Sequence, residues 1–186
     1  FDKKYNSMIA DTIKRIFLNR YIKKNKRQRY KELVSLQRAK TAAMICQIED
    51  EDSYKKCYAL LSKLHNRGRK GWLLGYINDK IVPYYCLEQL SADYFCNKHL
   101  NWFGKPEHAQ LNDFLKQDFD ILIDFTKNEL SPIKYCLQMC KAKFIVGNSN
   151  YNKEFYDLLI EGEKISEEEL LENIEKYTEQ LSGNER

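Results

Sequence analysis

The sequence predicts an α/β protein: a Rossmann-like three-layer sandwich on a mainly parallel sheet, preceded by a basic N-terminal helix. Three observations predict it. Short continuous apolar runs recur along the chain, as expected of strands buried on both faces. Helical periodicity fills the intervals between them. The stretch 120–147 (DILIDF, TKNEL, SPIKYCLQMC, KAKFIVG) reads as a complete strand–helix–strand unit. The 186 residues suit a single domain over 41–186 with a helical extension over 1–40. A hydrophobic content of 43% with 13% aromatic residues excludes a disordered chain.

Charge is distributed unevenly beneath a net value of +4. Residues 1–40 carry 13 Lys and Arg against 3 Asp and Glu, residues 41–160 carry 15 of each, and residues 161–186 carry 3 against 9. A neutral body between a basic head and an acidic tail is a statement about partners.

The first element is a helix over 5–22. Tyr5, Met8, Ile9, Ile13, Ile16, Phe17 and Tyr21 recur at helical spacing, with Lys14, Arg15 and Arg20 around them. The run KKNKRQRYK follows, and its Lys23, Lys24, Lys26, Arg27 and Arg29 are the candidate partner-binding residues. Three occupants fit a basic helix with an apolar stripe. The first, and the favoured reading, is docking on the protein's own body, a protein partner or a twin chain, which leaves a solvated basic face. The second is an anionic membrane surface, and the third is nucleic-acid phosphate. Zinc-finger spacing, an RNP-like strand and a GxxG clamp are missing, which weighs against nucleic acid.

Residues 41–48 (TAAMICQI) form the first buried strand. Glu49, Asp50, Glu51 and Asp52 follow at its C-terminal end, where they open a helix and suit its dipole. Phosphate-binding turns place glycines and bare N–H groups at that point. Four carboxylates there repel phosphate, and GxGxxG and GxxxxGK[ST] are missing, so a dinucleotide or P-loop site is excluded. Tyr54, Cys57, Tyr58, Leu60, Leu61 and Leu64 continue the helix to Gly68.

A strand over 72–77 (WLLGYI) comes next. The run 81–86 (IVPYYC) is either its hairpin partner or a loop, because Pro83 restricts it to an edge. Residues 92–96 (ADYFC) form a short strand. The loop 97–106 holds Asn101 and Trp102, candidate ligand contacts because long loops in compact domains are often functional. Pro106 marks a helix start with Leu111, Phe114 and Leu115 on one side. Within 120–147, Ser131 is the expected N-cap and Pro132 the first helical residue, with Ile133, Leu137 and Cys136 or Cys140 toward the sheet. The polar loop 148–150 leads to a strand over 155–160 (FYDLLI). Ser166 to Glu169 reads as a capping box opening a last helix, with Leu170, Leu171, Ile174, Tyr177 and Leu181 on one face.

In open α/β sheets ligands bind beyond the C-terminal strand ends. The candidate ligand-binding residues there are Glu49, Asp50, Asp124, Thr126, Asn148 and Ser149. Such an acidic, amide- and hydroxyl-rich rim suits a polyhydroxylated ligand or a hard divalent ion; otherwise no cofactor is expected. The bland alternative is that these side chains cap helices and close turns. Of six cysteines, Cys46 lies in a predicted strand and Cys57, Cys136 and Cys140 on predicted helices, without a secretory leader pattern before them, which points to a reduced, cytoplasmic setting. Cys96-x2-His99 and Cys136-x3-Cys140 have metal-like spacing, but tight C-x2-C knuckles are missing and no metal ligands are assigned. A G-x-S-x-G elbow is also missing. No run approaches the about 18 apolar residues needed to span a bilayer. A cytoplasmic protein is therefore expected, peripheral at the membrane if the helix docks there.

The segments LNWFGKP (100–106) and FDILIDFT…SPIKYCLQMCKAKFIVG (119–147) resemble those of an uncharacterised family of small bacterial α/β proteins, a domain of unknown function. In element order the resemblance spans about 41–181. It implies the fold and brings no activity. The pattern ILID…AKFIVG is also distantly similar to the acceptor half of heptosyltransferase-type glycosyltransferases. Those enzymes need two such domains, so this resemblance implies a half-domain without donor chemistry. The functional expectation is a non-catalytic binding or interaction module acting through the basic helix. The alternative is a small enzyme or ligand-binding protein for a sugar or polyol at the strand-end rim.

Overall fold

A computed structural model describes residues 2–25, 28–87, 89–162 and 165–183, with side chains from residue 9 onward. In chain order the elements are α1 (Asp2–Asn25), β1 (Thr41–Gln47), α2 (Glu51–Asn66), β2 (Lys70–Ile77), β3 (Ala92–Cys96), α3 (Ala109–Lys116), β4 (Ile121–Asp124), α4 (Ser131–Met139), β5 (Phe144–Gly147), β6 (Leu158–Leu159) and α5 (Glu167–Gly183). All six strands are parallel, in the order β3-β2-β1-β4-β5-β6. This is the order of doubly wound nucleotide-binding sheets, and its direction reverses between β1 and β4. The expected mainly parallel sheet is parallel throughout.

Why the strands read as unbroken apolar runs is plain from their two faces. Ala42, Met44 and Cys46 of β1 join one core with α2 and α5. Ala43 and Ile45 join a second core with α1, α3 and α4. A Cβ on Gly75 of β2 would stand 2.5 Å from the Tyr94 ring, so the missing side chain lets that tyrosine lie across the sheet. The central seam is clipped at its lower end, where the Asp120 carboxylate accepts from the Lys40 and Thr41 N–H groups at 2.9 and 3.1 Å.

The acidic turn after β1 does local work. Asp50 is the N-cap of α2 and accepts from the Ser53 N–H at 2.8 Å, while the Ser53 hydroxyl accepts from the Asp50 N–H at 2.9 Å. This reciprocal box satisfies donors that the first helical turn leaves free. At the other end Gly68, at φ +77°, reverses the chain and donates to the His65 carbonyl.

Several elements differ from expectation. The run 81–86 is a loop, and the β2–β3 crossover contains no strand or helix among its described residues. Helix α3 starts at Ala109 with His108 as N-cap, because Pro106 is held in a bridge to Leu100. Leu130 is the N-cap of α4 and Ser131 its first residue. The strand expected over 155–160 shrinks to Leu158–Leu159, since Lys153–Phe155 form a 3-10 turn and Tyr156 and Asp157 are drawn into tertiary bonds. Ser166 accepts from the Glu169 N–H, which is one half of the expected box.

The largest difference concerns α1. The stripe expected to dock, Ile9, Ile13, Ile16 and Phe17, is exposed. Leu18 and Ile22, on the opposite side of the helix, are buried instead, with Tyr21 packed beside them. Helix α1 runs alongside α4 in the same direction: Phe17 meets Trp102 in the loop after β3, Tyr21 meets the Tyr135 ring at 6.3 Å, and Arg29, past the helix, reaches the Ala142 carbonyl ahead of β5. The N-terminal part of α1 therefore points toward the side of the strand C-termini.

Candidate functional site

Two cavities open beyond the C-terminal strand ends. One, of about 440 Å³, lies at the β1/β4 reversal between the acidic turn and the loop after β4. The other, of about 830 Å³, lies between the β5–β6 loop and the start of α5. Both are within the range of small-molecule sites. The ion pair between Lys127 Nζ and Glu167 Oε1, 2.8 Å long, is shared by their walls. Burial alone would raise the Glu167 carboxyl; Lys127 and the helix-start N–H outweigh it and hold it below its ordinary range.

Beneath the larger cavity is a buried polar network centred on Asp124, the last residue of β4. Its Oδ1 accepts from the Thr126 N–H at 2.9 Å and the Thr126 hydroxyl at 2.6 Å. Its Oδ2 accepts from Asn152 Nδ2 at 3.1 Å and the Tyr156 hydroxyl at 2.6 Å. The Tyr156 ring reaches it by lying over Gly147, where a Cβ would stand 2.3 Å from the ring. Burial raises the Asp124 carboxyl above its ordinary range, and the four donors pull it back only in part. Asp124 and Thr126, expected at the rim, are thus fully buried and satisfied by the protein itself. They fasten the β5–β6 loop to the sheet and do not reach the cavity.

The other expected ligand residues divide. Asn148 and Ser149 line the larger cavity, and Glu49 and Asp50 line the smaller one. Asp50 is occupied as a helix cap, and the Ser53 N–H followed by its hydroxyl keeps its carboxyl below the ordinary range. Asn101 does not face a ligand: its Oδ1 accepts from the Phe103 and Lys105 N–H groups, and its Nδ2 donates to Glu107, closing its own loop. Trp102 is 62% exposed and meets Phe17 of α1 edge-on at 5.0 Å, away from both cavities. Lys127, within the stretch 126–128 expected at the rim, lines the site, and Tyr151 and Glu167 line it without having been expected there. Only their positions beside strand ends and a helix start could have signalled them.

The expected partner residues also divide. Lys23 and Lys24 are exposed in the last turn of α1. Lys26 and Arg27 lie outside the described residues. Arg29 is not available to a partner: its guanidinium pairs with Asp157 at 2.7 Å, each side chain 10% exposed, and donates to the Ala142 carbonyl at 2.9 Å.

Cys46 and Cys57 line the smaller cavity. Burial first, and the neighbouring Cys57 thiol second, push the Cys46 thiol well above its ordinary range, which disfavours a thiolate nucleophile. Cys96 and Cys136 with Cys140 belong to cores on opposite faces of the sheet. Among the described residues no three His, Cys, Asp or Glu side chains converge as a metal site, and no helix is long and apolar enough to cross a membrane.

Compared with known proteins, the chain matches a family model described as a family of unknown function (DUF6913) over residues 14–181. No curated protein and no solved structure matches it.

Proposed function

The chain belongs to DUF6913, a family of unknown function, and we propose from its own residues that it is a non-catalytic interaction module whose α1 seats on an anionic membrane surface. The observation that carries this reading is the exposed stripe of α1. Ile9, Ile13, Ile16 and Phe17 are each 42–45% exposed, although the opposite side of the helix is packed into the body. Steps of four, three and four residues put Ile9, Ile13, Ile16 and Arg20 in one line, with Lys23 and Lys24 on either side of its end. Phe17 and the exposed Trp102 extend the same surface with aromatic edges. Apolar side chains in a line, long cations at their border and a nearby tryptophan are what a helix lying in the headgroup plane requires.

Charge decides between the occupants. A second copy of α1 laid parallel on the first, stripe to stripe, would bring Arg20, Lys23 and Lys24 against the same residues, which repel. An anionic bilayer attracts them by about 1 kcal/mol for each Lys or Arg near its surface.

Co-sedimentation with phosphatidylserine-containing vesicles is expected to retain the protein, and pure phosphatidylcholine vesicles to release it. Ile13→Asp is expected to abolish retention with the melting temperature unchanged, because Ile13 contributes nothing to the core. The double change Arg20→Glu with Lys24→Glu is expected to weaken binding more than tenfold. Equal binding to neutral vesicles, or full retention of Ile13→Asp, would refute the proposal. So would self-association that Ile13→Asp removes without any vesicle binding, which would give the stripe to a second copy.

A further inference from the structure

We infer that the junction between the loops after β2 and β3 is a second contact on the same anionic bilayer, an inference that rests on the reading that α1 seats there. The first observation is where the junction lies. The two loops are bonded to each other: the Asp79 carbonyl accepts from the Asn97 N–H at 2.8 Å, and the Lys80 carbonyl accepts from the Cys96 thiol at 3.4 Å. Asn97 Nδ2 adds a bond to Asn78 Oδ1 at 3.1 Å. Ile81 leaves the junction on one side, and the loop carrying Trp102 leaves it on the other, to meet Phe17 of α1. The junction and the N-terminal part of α1 thus share the end of the sheet where the strands finish.

The second observation is what the junction exposes. Ile81 is 75% exposed and Tyr84 85%, although Val82, Tyr85 and Cys86 of the same loop pack into the core. The inward side chains hold the loop in place, and the outward ones add nothing to the fold. Large apolar side chains grouped on a surface mark a contact.

The third is charge. Lys80 and Lys98, one from each loop, are exposed, and neither forms an ion pair among the described residues. Asp79 is the acidic residue of the bonded segments 78–81 and 96–99, which keep a net positive charge. Glu107 is held by Lys105 and Asn101, and Glu51, at the start of α2, by Lys55 at 2.9 Å. An exposed isoleucine between uncompensated lysines, with a tryptophan beside it, repeats on a smaller scale the chemistry of α1 and its border.

The same loop supplies its own control. Leu90 is fully exposed, but Gln89 bridges to Ala92 at the start of β3, the opposite end of that strand.

The test is partitioning of the whole chain onto phosphatidylserine-containing vesicles. Ile81→Asp is expected to weaken it about tenfold, and Lys80→Glu with Lys98→Glu at least tenfold. Leu90→Asp is expected to bind like the parent, and every variant to melt like it, because these side chains are exposed. A parent chain that leaves the vesicles unbound overturns this inference together with the α1 reading. A parent that binds and is released by Ile13→Asp, yet keeps full affinity with Ile81→Asp, leaves α1 standing and refutes the second contact. Equal weakening by Leu90→Asp refutes it as well. So does self-association that Ile81→Asp removes while vesicle binding is intact, which gives the junction to a second copy.

Discussion

Replacing Asp124 by alanine is expected to destabilise the protein by about 3–5 kcal/mol, a fall of roughly 10 °C in melting temperature for a chain of this length. The carboxylate accepts four hydrogen bonds and is fully buried, so its removal leaves two hydroxyls and a main-chain N–H without this acceptor and the Asn152 amide with only a 3.4 Å bond to the Thr126 hydroxyl. Local collapse cannot repair this easily, because the Tyr156 ring is already against Gly147. Asp124→Asn should recover only part of the loss, since its NH2 group cannot accept from either Tyr156 or Asn152. The titration carries its own sign. With a carboxyl raised by burial, the folded state holds its proton more tightly than the unfolded chain, so Asp124 costs stability as pH rises above about 4. Alanine removes that slope. Thermal or urea unfolding across pH 3–7 measures both effects, and a loss below about 1 kcal/mol would show that Asp124 is no keystone.

Arg29→Ala is expected to cost about 3–5 kcal/mol, because it strands the Asp157 carboxylate in a mostly buried setting. Here the pH effect runs the other way. Burial favours a higher pKa for Asp157, but Arg29 first, then Lys31 and the Ile145 N–H, outweigh it and hold the carboxyl below its ordinary range. Its contribution is fully present above the unfolded value near pH 4 and is lost as pH falls through the lower folded value. Lys31, at 2.9 Å but 66% exposed, cannot replace the arginine. The variant should therefore lose stability at neutral pH and show a shallower acid slope than the parent chain. Equal stability of the two proteins at pH 7 would refute the assignment of Arg29 to the fold.

The fold was legible because central parallel strands are apolar on both sides, and TAAMICQI, WLLGYI and FIVG carry that pattern unmixed. What escaped depends on residues far apart in sequence. Arg29 sits in a run of cations that reads as a partner-binding patch, while its partner Asp157 lies 128 residues away. Asp124 looked like a rim residue because it ends a strand, and its burial follows from Tyr156 crossing Gly147, which no periodicity encodes. Tyr156 and Asp157 also explain why FYDLLI is not a full strand: both are spent on tertiary bonds. In α1 the helix was legible and its buried side was not, because apolar residues occupy both sides and only the body it packs on selects one.

The β1–β4 seam has a consequence for how the chain finds its fold. Its clip at Asp120 joins groups 80 and 79 residues apart, while β1 meets β2 across a single intervening helix. The chain entropy of closing a loop grows only logarithmically with its length, so the long span costs about 1 kcal/mol more than the short one. Equilibrium stability therefore scarcely registers the topology. Folding rate does register it, since non-local pairings slow the search. The same seam is the most non-local join in the sheet, so the smaller cavity, lined from both sides of it, comes into being late, when the two halves of the sheet have met.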